Sequence, residues 1–296
     1  MNNISTDMRP IGVFDSGVGG LTVLKSLMRS MPGENFLYLG DTARVPYGTK
    51  SADTIRSYSA GLASVLLHHD VKMIIIACNT ASAHATDLVR DIASPVPVIG
   101  MIEPAAAAAI AASKRRNILV MGTQSTIRSA CYDRAIHAIN PSIAVRGVAC
   151  QMLVALAEEG ADPTWLSGDI AKSIITRYLA PYFTDPAMAP DTIILGCTHF
   201  PLLREAIASV VGPDVTLIEN GGTIAAIVEP MMGQAVNAAP TISFMVTDAA
   251  ERFAPLARTF LGRSIPLDAI THIDLNDYAA YSAVQNNEKE KTLCSI

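Results

Sequence analysis

The chain has 296 residues, 50% of them hydrophobic and 17% charged, with a formal net charge of −5. This much apolar material excludes the disordered and fibrous classes, and the length favours about two domains. The absence of any Lys/Arg run excludes an extended nucleic-acid surface, and the mild acidic balance says little about partners.

In chain order, IGVF (11–14), FLYLG (36–40), MIIIAC (73–78) and VPVIGM (96–101) are near-continuous apolar, β-branched runs. That is the pattern of parallel strands buried on both faces. Amphipathic segments at 21–29, 52–68 and 83–92 predict helices between them, hence βαβ units. After an alanine-rich helix at 104–112 the order restarts. NILVMG (117–122), SIAVRGV (142–148), TIILGC (192–197) and VTLIEN (215–220) stand where the first four strands stood, and a helix follows at 223–231. SFMVT (243–247) and a helix at 249–261 come after both cycles and are assigned to the first. The fold class is therefore α/β, with two similar doubly wound lobes. The first is discontinuous (1–101 and 217–270), the second spans 102–216, and 271–296 form a solvated C-terminal tail.

Ligands of parallel sheets bind beyond the carboxyl ends of the strands. At those ends lie DSGVGG (15–20), GDTARVPYG (40–48), CNTAS (78–82), GTQST (122–126) and CTH (197–199). Hydroxyls and amides dominate these clusters and aromatic surface is scarce, which fits a small polar ligand rather than a stacked base. DSGVGG is not a nucleotide loop: Thr22 stands where a dinucleotide fingerprint needs glycine, and no Gly-Lys-Ser/Thr follows. What remains is a tight turn feeding a helix N-terminus, suited to one small anion.

Free cysteine usually behaves as a small buried hydrophobe, and Cys131 and Cys150 are read that way, with Cys294 in the tail. Cys78 and Cys197 differ, because each closes an apolar strand and opens a polar turn at matched places in the two cycles. Such a setting is expected to lower a thiol pKa. Asp15, otherwise a turn or cap residue, and His199, otherwise a satisfied polar residue, are placed to tune or relay the thiol protons. A redox pair lacks its C-x-x-C, and C-x-H plus one distant cysteine is an incomplete zinc set. A Cys-His hydrolase leaves the second thiol unused. Proton exchange at a stereocentre uses both: one thiolate removes a proton from one face while a thiol delivers one to the other. The competing class is a two-lobed solute-binding protein, which has no need of matched thiols.

IGVFDSGVGG, GDTARVPYG, ACNTAS and GCTHFPLL, in this order and spacing, resemble the signatures of the glutamate branch of the aspartate/glutamate racemase superfamily. The resemblance runs from about Ile11 to Leu261. It implies lobes related by a pseudo-twofold axis with the active site in the cleft between them. It also implies cofactor-independent conversion of L-glutamate to D-glutamate for peptidoglycan synthesis, and a homodimer. Cys78 and Cys197 correspond to the two acid/bases, with Asp15 assisting the first and His199 the second. Asp15, Ser16, Tyr47, Gly48, Asn79, Thr80, Thr126, Glu158, Thr198 and His199 correspond to substrate-contacting positions. Two stretches depart from the pattern: ACQMLVALAEEG replaces a proline-rich segment, and IENGG replaces Asp followed by Ser or Pro and Gly. The second change is expected to alter only a loop.

The N-terminal MNNISTDMRP carries no basic and apolar leader, and no uninterrupted apolar stretch is long enough to span a bilayer. Free thiols, a cytoplasmic location, no membrane contact and a small-molecule substrate are the expectations.

Overall fold

The computed structural model describes residues 7–160, 163–232, 237 and 239–278. The runs of the first cycle become β1 (Ile11–Asp15), β2 (Phe36–Gly40), β3 (Met73–Ile76) and β4 (Val98–Gly100). Those of the second become β5 (Asn117–Gly122), β6 (Ala144–Ala149), β7 (Thr192–Gly196) and β8 (Thr216–Glu219). Every residue of β1, β2, β3, β5 and β7 is buried, as strands with helices on both faces must be. All the pairings are parallel.

The order β2-β1-β3-β4 in one sheet repeats as β6-β5-β7-β8 in the other. Each sheet therefore reverses direction beside its first strand, between β1 and β3 and between β5 and β7, where a doubly wound sheet opens a crevice. β9 (Ile242–Val246) and β10 (Ile270–His272) extend the first sheet outward from β2.

Three details depart from the sequence expectation. Residues 217–219 belong to the second sheet, because β8 hydrogen-bonds to β7 through Glu219. Only the helix that follows, Asn220–Met232, crosses over: its Ile224, Ala225 and Val228 pack with Leu21, Leu24 and Leu27 of the helix Leu21–Ser30. Residues 271–278 are not a solvated tail. Thr271 and His272 pair with β9, Ile273 is buried, and Leu275 and Tyr278 pack on the first core. A three-residue strand carries too little pattern to be seen in sequence. Residues 279–296, including Cys294, lie outside the described residues.

The third departure matters for the site. The helix expected at 83–92 begins at Asn79 and runs to Ala93, so CNTAS is a helix start rather than a loop. Cys78 is its N-cap, and Sγ accepts from the Ala81 N–H at 3.4 Å. By contrast the helix Ala52–His68 begins where expected, because Ser51 caps it by accepting from the Thr54 N–H at 3.3 Å.

The lobes meet closely where DSGVGG turns. A Cβ on Gly19 would stand 2.2 Å from Thr198 Oγ1 and 2.6 Å from the His199 ring. Thr22 Oγ1 donates to the Thr198 carbonyl at 2.9 Å across the same contact. This glycine is therefore demanded by the approach of two chain segments, not by backbone strain. Among the described residues no helix is long and apolar enough to cross a membrane.

Candidate active site

Both crevices open into one cleft that encloses about 470 Å³ of empty space, part of it open to solvent. Ser16, Tyr47, Gly48, Cys78, Asn79 and Thr80 line it from the first lobe, and Glu158, Cys197, Thr198 and His199 from the second. The sheet topology thus brings the two thiols, 119 positions apart in sequence (197 − 78), to one hollow.

Cys78 is 5% exposed, and its thiol is pushed up to about 12, first by burial and then by the Asp15 charge. The Ala81 N–H and Ser16, whose Oγ is 3.5 Å from Sγ, pull the other way without prevailing. The expected lowering is thus reversed, because a thiol that sequence placed on an open turn is buried in the first-lobe core with Phe14, Leu39, Tyr47 and Ile76. Asp15 lies behind Cys78 and does not line the cleft. It is 1% exposed, Oδ2 accepts from the Gly17 N–H at 2.9 Å, and Oδ1 has no partner. The DSGVGG turn thus holds this carboxylate from within the chain, while its Ser16, Gly17 and Val18 line the cleft. Burial still raises the Asp15 pKa, against His199 and the Gly20, Gly17 and Ser16 N–H groups, which lower it.

Around Cys197 the arrangement is different. His199 Nδ1 is 3.7 Å from Cys197 Sγ, and Nε2 is 3.1 Å from Glu158 Oε1. Burial works against the charged imidazole, but the contacts to Cys197 and Glu158 outweigh it and push the pKa up to about 10. Glu158 is held below the usual carboxylate range mainly by His199, against burial and with help from Arg252 Nη2 at 3.4 Å.

This pair predicts a pH signature. His199 binds its proton more tightly folded than at its ordinary 6.5, so its contribution is complete below 6.5 and is lost as pH rises through about 10. Glu158 is depressed from 4.5, so its contribution is complete above 4.5 and is lost at lower pH. Glu158→Gln is expected to lower Tm by about 2–4 °C between pH 4.5 and 6.5, with the difference shrinking toward pH 10. Thermal melts across that range check it, and a deficit that stays constant to pH 10 would rule the ion pair out.

Amides and hydroxyls complete the lining. Thr80, Thr123 and Thr126 form a hydroxyl triangle with edges of 2.9, 3.2 and 3.0 Å. Thr123 faces the cleft while Thr126 sits behind it, so Thr126 supports the lining rather than joining it. Tyr47 donates to Asp41 Oδ2 at 2.6 Å and is 1% exposed, its pKa raised chiefly by burial. A Cβ on Gly48 would come within 2.8 Å of Thr123, so the turn passes close to the second lobe. Sequence reading did not name Gly17, Val18, Val45, Pro46, Thr123, Gln151 or Val154 as site residues, although the first five stood within the quoted DSGVGG, GDTARVPYG and GTQST clusters. Among the described residues no group of three or more His, Cys, Asp or Glu is arranged to hold a metal ion.

Two parallel α/β lobes that bring one thiol each to a shared polar cleft define a class of protein, and comparison places the chain in it. The Asp/Glu/Hydantoin racemase family matches residues 11–228, and the chain belongs to that family. A glutamate racemase of Syntrophus aciditrophicus is 43% identical over 271 residues, covering 90% of this chain and 97% of that protein. The crystal structure of glutamate racemase from Francisella tularensis in complex with D-glutamate has a TM-score of 0.82 and 37% identity. It covers 92% of this chain and 100% of its own. A glutamate racemase isoform from Bacillus anthracis has a TM-score of 0.83 and 34% identity, over 90% of this chain and 98% of its own.

Proposed function

We propose that this chain is a glutamate racemase that interconverts L- and D-glutamate without a cofactor, using Cys78 and Cys197 as acid and base. The observation that carries the proposal is the pair of thiols in one cleft, Cys197 3.7 Å from His199 Nδ1 and Cys78 within the field of the buried Asp15 carboxylate. The Francisella tularensis relative holds D-glutamate, and the hydroxyls and amides lining this cleft suit a small dicarboxylate.

The chemical problem is the weak acidity of a hydrogen beside a carboxylate. The site must stabilise the developing charge, and about 1.36 kcal/mol is worth tenfold in rate. Asn79, Thr80 and Thr198 line the cleft, and the helix Asn79–Ala93 turns its N-terminus toward it. They receive the carboxylates, with the helix dipole aiding the developing charge. Ser16, Tyr47 and Gly48 line the same wall.

In one direction Cys197 stands as a thiolate, its charge held by the His199 imidazolium across their 3.7 Å contact, with Glu158 in turn holding the imidazolium. The Cys197 thiolate then removes the Cα proton. Cys78, kept as a thiol by burial and the Asp15 charge, delivers its proton to the opposite face. In the other direction Asp15 takes the Cys78 proton, and the raised Asp15 pKa suits it to that task.

The product supplies D-glutamate for peptidoglycan synthesis in the cytoplasm, and the enzyme acts as a homodimer, as its family resemblance implies. Circular dichroism of the purified chain with L-glutamate and no added cofactor is expected to decay to zero ellipticity. An unchanged L-glutamate signal would refute the proposal.

A further inference from the structure

Asn79 carries a donor with no partner in the protein. Its side chain is 2% exposed and lines the cleft, and Nδ2 makes no hydrogen bond. Buried amide groups are normally paired, so this one is poised for a ligand. The opposite atom is doubly held. Asn79 Oδ1 accepts from Tyr132 OH at 2.6 Å and from Asn220 Nδ2 at 3.1 Å.

The direction of these bonds is set by the backbone. Asn220 Nδ2 also donates to the Leu195 carbonyl on β7 at 3.1 Å, and a backbone carbonyl can only accept. Asn220 must therefore present its N–H2 on that side, and the same group meets Asn79. Asn79 must answer with its oxygen, which leaves its own N–H2 for the cleft. Turning Asn79 over would set donor against donor and aim a carbonyl oxygen at an incoming carboxylate. Both Tyr132 and Asn220 are 2% exposed, so water does not compete for these bonds.

We propose that Asn220 and Tyr132 are positioning residues that hold the Asn79 amide with its N–H2 toward the cleft, where it donates to a substrate carboxylate. This rests on the reading of the cleft as a glutamate site. The network also clamps a first-lobe residue from β7 and the helix Cys131–Ile139 of the second lobe, so the amide is aligned only while the lobes are docked. The IENGG departure, expected to alter only a loop, therefore reaches the site itself. Asn220 opens the helix Asn220–Met232 and touches the residue next to Cys78.

The test compares Asn220→Ala, Tyr132→Phe, Asn79→Ala and the double variant Asn220→Ala/Asn79→Ala by dichroism kinetics with both enantiomers and by thermal melts. Asn220→Ala and Tyr132→Phe are each expected to raise KM about ten- to hundredfold with a much smaller loss in kcat. Adding Asn220→Ala to Asn79→Ala is expected to leave KM where Asn79→Ala put it. Tyr132→Phe removes only a hydroxyl and keeps the test open if Asn220→Ala does not fold. An unchanged KM in either folded variant, or a KM effect that adds in full to that of Asn79→Ala, would overturn the positioning role. The unaltered chain in the same assay reports separately on the racemase reading.

Discussion

Cys78→Ser and Cys197→Ser are each expected to abolish racemisation, with kcat/KM falling on the order of 10⁴-fold or more, while both variants stay folded. Serine fits either place, and at Cys78 a hydroxyl caps the helix Asn79–Ala93 at least as well as a thiol does. The loss is chemical, because a hydroxyl neither gives nor takes a proton near neutral pH as a thiol can. Enantiomers have equal free energies, so kcat/KM must fall equally in the two directions for every variant. Racemisation therefore cannot report which thiol serves which face.

Elimination can. A glutamate with a leaving group on Cβ needs only the first proton removal, so each serine variant keeps elimination from one enantiomer and loses it from the other. Measuring keto-acid release from both enantiomers checks this. Full racemisation by a variant with one thiol would end the two-base mechanism.

The second large effect is expected at His199. His199→Asn should lower kcat/KM on the order of 10²–10³-fold, because the ring nitrogen 3.7 Å from Cys197 Sγ is lost together with the link to Glu158. The defect should be one-sided in elimination. The enantiomer deprotonated by Cys197 loses turnover, while the one deprotonated by Cys78, which relies on Asp15, keeps most of it. Equal loss for both enantiomers would reduce His199 to a packing role against Phe260, whose ring centroid is 5.1 Å away.

These expectations draw on two kinds of information, and only one was open to sequence reading. Runs such as MIIIAC and TIILGC announce buried parallel strands by composition alone, and a cysteine at the end of each marks the crevice. Whatever depends on contacts made by residues distant in sequence, or on how deeply a side chain is buried, was hidden. Cys78 reads as a thiol on an open turn, yet burial within the first-lobe core pushes it up to about 12. DSGVGG reads as an anion site, but its N–H groups already serve Asp15. Tyr132 and Asn220 lie 53 and 141 positions from Asn79, and no local pattern links them. Thr126 was placed one layer too far forward, since a hydroxyl triangle can present only some of its members to the cleft.

The central claim is that two separate thiols serve opposite faces of one carbon, and initial-rate turnover in deuterium oxide tests it most directly. Each enantiomer is expected to give product carrying solvent deuterium at Cα from the first moments, while the remaining substrate keeps its hydrogen. Deuterium entering unreacted substrate as fast as product forms would mean that one base works both faces, and would contradict the assignment of Cys78 and Cys197.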